Sequence, residues 1–272
     1  MQRYTLDPAM PVLLRPDGAV QVGWDPRRAV LVHPPAGLTA AGLADLLRAL
    51  QAGATLADLQ ERFEVDAGDL VVSLIEAGVV SAAPERRRCP SVRVHGRGPL
   101  SDLVARGLRC SGARVTRSSV TQAAPPGTTD LVVLADFLVA EPRVVRDLHT
   151  ARVAHLPVRL RDGAGLVGPL VIPGVTSCLQ CADLHRTDRD AAWPAVASQL
   201  RNVVGSADRA TVLGTAALAL NQVDRVIRAV RDGHAVAAAT EPPPTLDTTL
   251  EFNVDAGAIV ARRWSRHPRC WC

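Results

Sequence analysis

The feature that most constrains this chain is a set of four cysteines arranged in two close pairs. Cys178 and Cys181 have C-x-x-C spacing, and Cys270 and Cys272 have C-x-C spacing. Two thiol pairs of this kind can supply the four ligands of tetrahedral zinc, because each pair binds from one loop and folding brings the loops together. The sequence therefore predicts a structural zinc ion on all four cysteines. Such a closed site has no open coordination position, so we expect it to stabilise the fold rather than to catalyse a reaction.

Two other interpretations of the cysteines remain open from the sequence. One is a redox pair or a disulfide, although disulfides are rare in a reducing compartment and a redox pair is expected at the first strand-to-helix turn. The other is a metal site that uses His185 or His267. Cys89 and Cys110 have no partner at close spacing, and we expect them to be inert, partly buried thiols.

The composition is that of a globular protein without membrane spans. Hydrophobic residues make up 47% of the 272 residues, the first residues lack a signal-peptide pattern, and no run of about 18 apolar residues occurs. We therefore expect a soluble, cytoplasmic protein. The chain has no lysine, so all 31 basic residues are arginines, and lysine-based phosphate binding is excluded. The net charge of +4 is modest, so we expect basic runs such as 86–88 to be solvated surface rather than a nucleic-acid site.

Residues 1–83 predict a small α+β module. Short apolar runs separated by turn sequences indicate antiparallel strands over residues 12–14, 19–24 and 28–33. Three helical patterns follow; the second begins with the capping pair Thr55 and Asp58, and the third is an acidic helix over 66–77. Strands followed by three helices are typical of a winged-helix-like module. Residues 84–90, PERRRCP, are predicted to be a linker.

Residues 91–272 predict an α/β domain, because strand and helix patterns alternate. The near-continuous apolar run DLVVLA at 130–135 is typical of a buried parallel strand. A long helix is predicted over 211–230, a hairpin over 165–172 and a final antiparallel pair over 250–264. The predicted fold class is therefore α/β with a Rossmann-like, mostly parallel sheet and structural zinc, preceded by the winged-helix-like module.

The sequence HGRGPLS is a glycine-rich turn between a strand and a helix, which is where nucleotides bind in such folds. Gly96 and Gly98 fit the pattern, but Pro99 lies inside the turn and Ser101 replaces the third glycine. Residues 117–119, RSS, stand where an acidic residue would bind ribose. The turn therefore predicts a degenerate nucleotide site or a glycine turn kept for packing.

A charged stretch, DLHRTDRDAAWP, occupies residues 183–194. We interpret it as a helix N-terminus with alternating salt bridges; the alternative is a charged patch beside the cleft at the carboxyl edge of the sheet. The chain contains no zinc-protease, nucleophile-elbow or P-loop motif, and we predict no catalytic residue.

Several motifs together resemble the ThiF/MoeB family of ubiquitin-activating-type adenylyltransferases: HGRGPLS, DLVVLAD, CLQC, the long apolar helix and the second cysteine pair. The stretches CLQCADLHRTDRDAAWP and RRWSRHPRCWC are similar to those of actinobacterial ThiF-like proteins related to the cyclodehydratase components of azoline-peptide biosynthesis. This resemblance covers residues 91–272. The strand and helix order of the first eighty residues resembles PqqD-like leader-peptide recognition modules.

The resemblance implies zinc on the four paired cysteines. It also implies ATP and magnesium in active members, with the glycine turn holding phosphates and a strand-end aspartate holding the metal. Asp136 is the nearest equivalent of that aspartate, with Phe137 in place of the expected asparagine. The phosphate-contacting lysine, the ribose-binding acid and a convincing acceptor cysteine are all missing. These losses imply a family member that has lost its ATP site and the adenylation chemistry.

The resulting hypothesis is a non-catalytic protein that takes a precursor peptide, or a small protein, as an extra strand on the N-terminal module and presents it to a partner YcaO-type cyclodehydratase. The alternative is an ATP-dependent adenylyltransferase that activates a C-terminal carboxylate, with an arginine in place of the lysine. A winged-helix DNA-binding protein is a third hypothesis, but the acidic helix over 66–77 would repel phosphate. The family also implies a homodimer formed through the α/β domain.

Overall fold

The computed structural model describes residues 2–82, 88–119 and 129–272. The chain divides into two compact units, unit 1 at residues 1–86 and unit 2 at residues 87–272. Residues 84–87 of the predicted linker lie outside the described residues, so its extent and the predicted domain boundaries stay predictions. No helix within the described ranges is long and apolar enough to cross a membrane.

Unit 1 combines short strands with three helices. Its elements are β1 (Arg3–Leu6), β2 (Val12–Leu14), β3 (Val20–Val22), β4 (Val30–Val32), α1 (Ala40–Gln51), β5 (Ala54–Thr55), α2 (Leu56–Phe63), α3 (Gly68–Glu76) and β6 (Val80–Ala82). One antiparallel sheet is the meander β2-β3-β4, and a second places β1 between β5 and β6. Four leucines on one face of α1 are fully buried in the core of this unit: Leu43, Leu46, Leu47 and Leu50.

The local signals in unit 1 predicted its elements well. The three predicted strands and three predicted helices are present, and the capping pair forms as expected. The Asp58 amide donates to Thr55 Oγ1 at 3.1 Å, and the Thr55 amide donates to the Asp58 carboxylate at 2.9 Å. The sequence missed β1, β5 and β6, because these two- to four-residue strands are defined by pairing with segments distant in the chain.

Unit 2 is an α/β unit built on a seven-stranded sheet. Its strands are β7 (Ser91–His95), β8 (Arg114–Ser118), β9 (Leu131–Ala135), β10 (Ala154–Arg161), β11 (Ala164–Val167), β12 (Thr248–Asn253) and β13 (Ala258–Arg263). Its helices are α4 (Pro99–Gly107), α5 (Pro142–Thr150), α6 (Leu179–Arg189), α7 (Trp193–Leu200) and α8 (Arg209–Arg231). The strand order is β13-β12-β11-β10-β9-β7-β8; the last four strands in this order are parallel, and the others extend the sheet in antiparallel fashion. The predicted α/β class with a mostly parallel sheet is confirmed.

Helices cover both faces of this sheet, which explains the apolar run in β9. Leu131 and Val133 pack into a core with α4 and α8, whereas Val132 and Leu134 pack with α5 on the opposite face. Every position of the strand is therefore buried. Because α4, which follows β7, and α5, which follows β9, pack on opposite faces of the sheet, a crevice opens between the carboxyl ends of β7 and β9.

The structure corrects the sequence analysis in two places. The hairpin predicted over 165–172 is wrong: β11 pairs with β10 through a turn at Asp162 and Gly163, and the residues after β11 make isolated bridges. The charged stretch 183–194 does not begin a helix. It starts inside α6, because that helix already begins at the first cysteine pair with the buried residues Leu179, Cys181 and Ala182.

Candidate metal centre and nucleotide cleft

The four paired cysteines meet at one point of unit 2. Cys178 immediately precedes α6, Cys181 lies in its first turn, and the second pair approaches from the end of the sequence. Sγ of Cys178 lies 3.7 Å from that of Cys181 and 3.5 Å from that of Cys270, and Sγ of Cys181 lies 3.4 Å from that of Cys272. All four sulfur atoms lie within 4.8 Å of one another. Folding thus brings together two cysteine pairs that are about ninety positions apart in the sequence.

The chemistry of this cluster suits a tetrahedrally coordinated metal ion. Four sulfur ligands at the usual Zn–S distance of about 2.3 Å stand about 3.8 Å apart, close to the separations observed. Burial raises the pKa of the Cys178 thiol, because a thiolate at this position has lost its solvation. A divalent cation reverses that preference, since it binds thiolates directly. The cluster can therefore hold a metal ion.

The two histidines considered as alternative ligands lie beside the cluster and are engaged elsewhere. His267 is buried; its Nε2 contacts the Asp188 carboxylate at 2.8 Å, and its Nδ1 accepts from the Arg269 amide at 3.1 Å. His185 contacts a backbone carbonyl oxygen at 3.1 Å and packs edge-on against His267, with 4.7 Å between the ring centroids. The hydrogen bond to His267 holds the pKa of Asp188 below its ordinary value. These contacts orient the loop that carries the second cysteine pair.

The charged stretch 183–194 connects several elements beside the cysteine cluster. Asp183 accepts a hydrogen bond from Arg186 at 2.8 Å and another from the indole N–H of Trp193 at 3.2 Å. The Arg186 guanidinium packs against two indole rings, 5.1 Å from the centroid of Trp193 and 4.9 Å from that of Trp264. The stretch therefore connects α6, α7 and the residue that follows β13.

A side chain of the protein itself occupies the glycine turn after β7. Asp136, which follows β9, is buried and has a left-handed backbone with φ 75°. Its carboxylate accepts from the amides of Leu100 at 2.9 Å and Ser101 at 3.3 to 3.4 Å, at the start of α4. A helix N-terminus attracts anions, because its first N–H groups lack helical partners and the helix dipole is positive there. Asp136 thus places a carboxylate at this helix N-terminus, a kind of position where anions bind.

Gly96 and Gly98 make room for this carboxylate. A Cβ on Gly98 would stand 2.8 Å from Cγ of Asp136. A Cβ on Gly96 would stand 2.8 Å from Oδ2 of Asp136 and 2.6 Å from the carbonyl oxygen of Ala135. Close packing around Asp136 is therefore a sufficient reason for both glycines. Their assignment, with Asp136, to ATP and magnesium stays a prediction.

The end of β8 shows what stands in place of the ribose-binding acid. Arg117 forms an ion pair with Asp102 of α4. Ser118 Oγ lies 3.0 Å from Nδ1 of His95, at the end of β7. Both residues are thus engaged with neighbours in the unit.

The two remaining cysteines differ from the expectation. Cys89 and Cys110 are exposed free thiols, so the prediction of partial burial is wrong. Cys89 precedes β7 and Cys110 lies in the turn after α4, where the chain runs along the surface of the unit.

Sequence reasoning missed a group of arginines at the crevice. Arg143, Arg159 and Arg201 line a cleft of 480 Å³ together with His95. They come from α5, from β10 and from the residue after α7, so no spacing rule connects them. The available sequence signal was Arg159 between the apolar residues Val158 and Leu160 of β10.

No protein-family profile matches the chain, and no curated protein matches its sequence. Solved structures do match its fold. A heterocyclase solved in complex with substrate and cofactor aligns with a TM-score of 0.69 and 16% identity, over 100% of this chain and 39% of that one. The heterocyclase TruD aligns with a TM-score of 0.65 and 18% identity, over 100% of this chain and 42% of that one. E. coli MccB, solved with ATP, aligns with a TM-score of 0.57 and 13% identity, over 99% of both chains.

The fold is ThiF-like. At sequence identities of 13% to 18%, these matches show a shared fold and nothing more. The chain spans about two-fifths of the length of the two heterocyclases, whereas it matches MccB over nearly its whole length.

Proposed function

We propose that this protein is a non-catalytic peptide-binding scaffold that presents a precursor peptide to a partner YcaO-type cyclodehydratase. The observation that carries the proposal is that this chain shares its fold with a region of two heterocyclases, while the Asp136 carboxylate caps the helix that follows the glycine turn. The partner enzyme would form the rings during the biosynthesis of ribosomally made, modified peptides. The family-level expectation of a homodimer through unit 2 stays a prediction.

The crevice of unit 2 supports a role without ATP chemistry. Asp136 caps the N-terminus of α4, and its carboxylate would repel a phosphate group at the same position. No lysine is present to contact phosphates, and Arg117 at the end of β8 is paired with Asp102. At the start of α4 a nucleotide would thus meet a carboxylate instead of a free helix N-terminus.

Zinc is the metal that best suits the cysteine cluster. Cys178, Cys181, Cys270 and Cys272 would fill all four tetrahedral positions, so the ion would be structural and would tie the second cysteine pair to the start of α6. Four reduced thiols suit a reducing compartment, and the proposed location is the cytoplasm.

Unit 1 is proposed to be a winged-helix-like module of the PqqD type, with β4 as the strand to which the peptide adds. β4 lies at one edge of its sheet, and within the described residues it pairs with β3 alone. Leu31 in the middle of β4 is 52% exposed, and α3 carries the exposed apolar residues Val72 and Ile75. An open strand edge supplies main-chain hydrogen bonds, and exposed apolar side chains supply specificity.

Titration calorimetry with precursor peptides encoded beside the gene tests this assignment. We expect saturable binding to the full-length protein. Leu31→Asp is expected to weaken binding at least about tenfold, since burial of a leucine side chain contributes about 1.5–3 kcal/mol. Leu14→Asp is the matched control, because Leu14 is a similarly exposed leucine on the opposite edge strand β2. The Leu14→Asp protein should bind the peptide as tightly as the wild-type protein. Equal losses in both variants, or no binding of any such peptide, would contradict the assignment.

The alternative function, adenylation of a C-terminal carboxylate, makes a separate prediction. An adenylyltransferase would catalyse exchange of pyrophosphate into ATP when magnesium and the acceptor peptide are present. We expect no exchange above the protein-free background, because the Asp136 carboxylate already caps the helix N-terminus after the glycine turn and would repel a phosphate there. Peptide-dependent exchange would overturn the non-catalytic assignment, whatever the result of the peptide titration.

A further inference from the structure

The cleft at the carboxyl edge of the sheet in unit 2 has the size of a small-molecule site. Its volume is 480 Å³, and such sites usually measure about 300–1,000 Å³. Arg143 reaches it from the first turn of α5, Arg159 from the middle of β10 and Arg201 from the end of α7. His95, at the end of β7, completes the polar side.

None of the three arginines forms an ion pair with another described residue. Within the described part of the chain, no hydrogen bond or ion pair joins the side chains of Arg143, Arg159 and Arg201 to another residue, and Nε of Arg201 is buried without a partner. Burial lowers the pKa of Arg159 to about 10, although the nearby Asp183 acts in the opposite direction. Glu141 supplies the one carboxylate among the described lining residues. The described lining of the cleft thus carries three guanidinium groups and one carboxylate.

This balance of charge indicates the chemistry of the missing ligand. Guanidinium groups bind carboxylate and phosphate oxygens in a bidentate manner. Arg143 is exposed, whereas Arg159 and Arg201 are half-buried, and a partly buried guanidinium without a partner is costly to maintain. An anionic ligand would supply the hydrogen-bond acceptors that the chain itself does not provide.

The rest of the lining favours a ligand with an apolar body. Leu134, Phe137 and Val144 form a hydrophobic wall beside the arginines. The glycine turn does not line the cleft, and Asp136 already occupies the N-terminus of α4, so a triphosphate chain would find no backbone cradle there. A compact anion fits these surroundings better than a nucleoside triphosphate.

We propose that this cleft binds a small organic oxyanion, a single carboxylate or phosphate group on an apolar body, through Arg143, Arg159 and Arg201. The site belongs to unit 2, is separate from the peptide-binding edge proposed for unit 1 and does not depend on that function.

Titration of the full-length protein with four simple probes tests the proposal. Phenyl phosphate and phenylacetate carry the two head groups on the same ring, benzyl alcohol carries the ring without a charge, and inorganic phosphate carries the charge without a ring. We expect at least one aromatic anion to bind saturably, and both benzyl alcohol and inorganic phosphate to bind at least about tenfold more weakly. The aromatic anion that binds more tightly identifies the preferred head group.

Variants connect the binding to the arginines. Arg159→Gln is expected to weaken binding of the aromatic anion at least about tenfold, and Arg159→Lys less, since lysine keeps the charge but loses the planar fork. Arg146→Gln is the matched control, because Arg146 is an exposed arginine of α5 that does not line the cleft. If circular dichroism shows that Arg159→Gln does not fold, Arg201→Gln is measured in its place.

Three results would overturn the proposal. Neither aromatic anion binds saturably, or the Arg159→Gln and Arg146→Gln proteins bind alike, or ATP binds more tightly than either probe in an Arg159-dependent manner. The peptide titration reports on unit 1, so its failure and a failure here are distinguishable.

Discussion

Replacing Cys181 with serine is expected to release the metal and to lower the midpoint of thermal unfolding of unit 2 by about 8–16 °C. A metal present at a thousand times its Kd stabilises the native state by about 4 kcal/mol, and each kcal/mol corresponds to about 2–4 °C in a unit of this size. Cys181 is fully buried, so water cannot easily replace its sulfur as a ligand. Metal analysis should find about one zinc ion per chain in the wild-type protein and about none in the variant.

Cys110→Ser is the control for this experiment, because Cys110 is an exposed free thiol outside the cluster. It should keep both the metal and the unfolding midpoint. A chelator should reproduce the effect of Cys181→Ser in the wild-type protein, and added zinc should reverse it. The site assignment fails if the wild-type protein holds clearly less than one zinc ion, or if both serine variants behave alike.

Asp136→Gly is expected to lower the free energy of unfolding by about 3 kcal/mol, because it leaves the buried amides of Leu100 and Ser101 without their acceptor. Glycine is the replacement of choice, since φ at this position is 75°. Gly98→Ala should cost about 1–3 kcal/mol in the wild-type protein, because its Cβ would stand 2.8 Å from Cγ of Asp136. In the Asp136→Gly background that clash is gone, so the cost of Gly98→Ala should largely disappear. Chemical denaturation of the four proteins measures this coupling.

Gly96→Ala provides the contrast within the same turn. Its Cβ would also stand 2.6 Å from the backbone carbonyl oxygen of Ala135, which Asp136→Gly does not remove. Gly96→Ala should therefore remain destabilising in both backgrounds. If Gly98→Ala costs the same with and without Asp136, the glycines are not kept to accommodate this carboxylate.

The predictable parts of the fold were those with a local signal. The capping pair Thr55 and Asp58 identified the start of α2, and the apolar run of β9 identified a strand that is buried on both faces. The errors occurred where pairing partners are distant in the chain. β1 exists because it lies between β5 and β6, and β11 pairs with β10 and β12 instead of folding back on residues 168–172. Short apolar segments do not specify such partners, since their alternation fits several registers.

The same distinction holds for the sites. By itself, the sequence determined which four cysteines can bind one metal ion. At C-x-x-C and C-x-C spacing, the two thiols of each pair are close enough to reach the same ion. Tertiary structure alone decided that Asp136 fills the N-terminus of α4 and that Arg143, Arg159 and Arg201 share one cleft. The physical reason is that parallel strands bring their carboxyl ends to the same edge of the sheet, where residues far apart in the chain become neighbours.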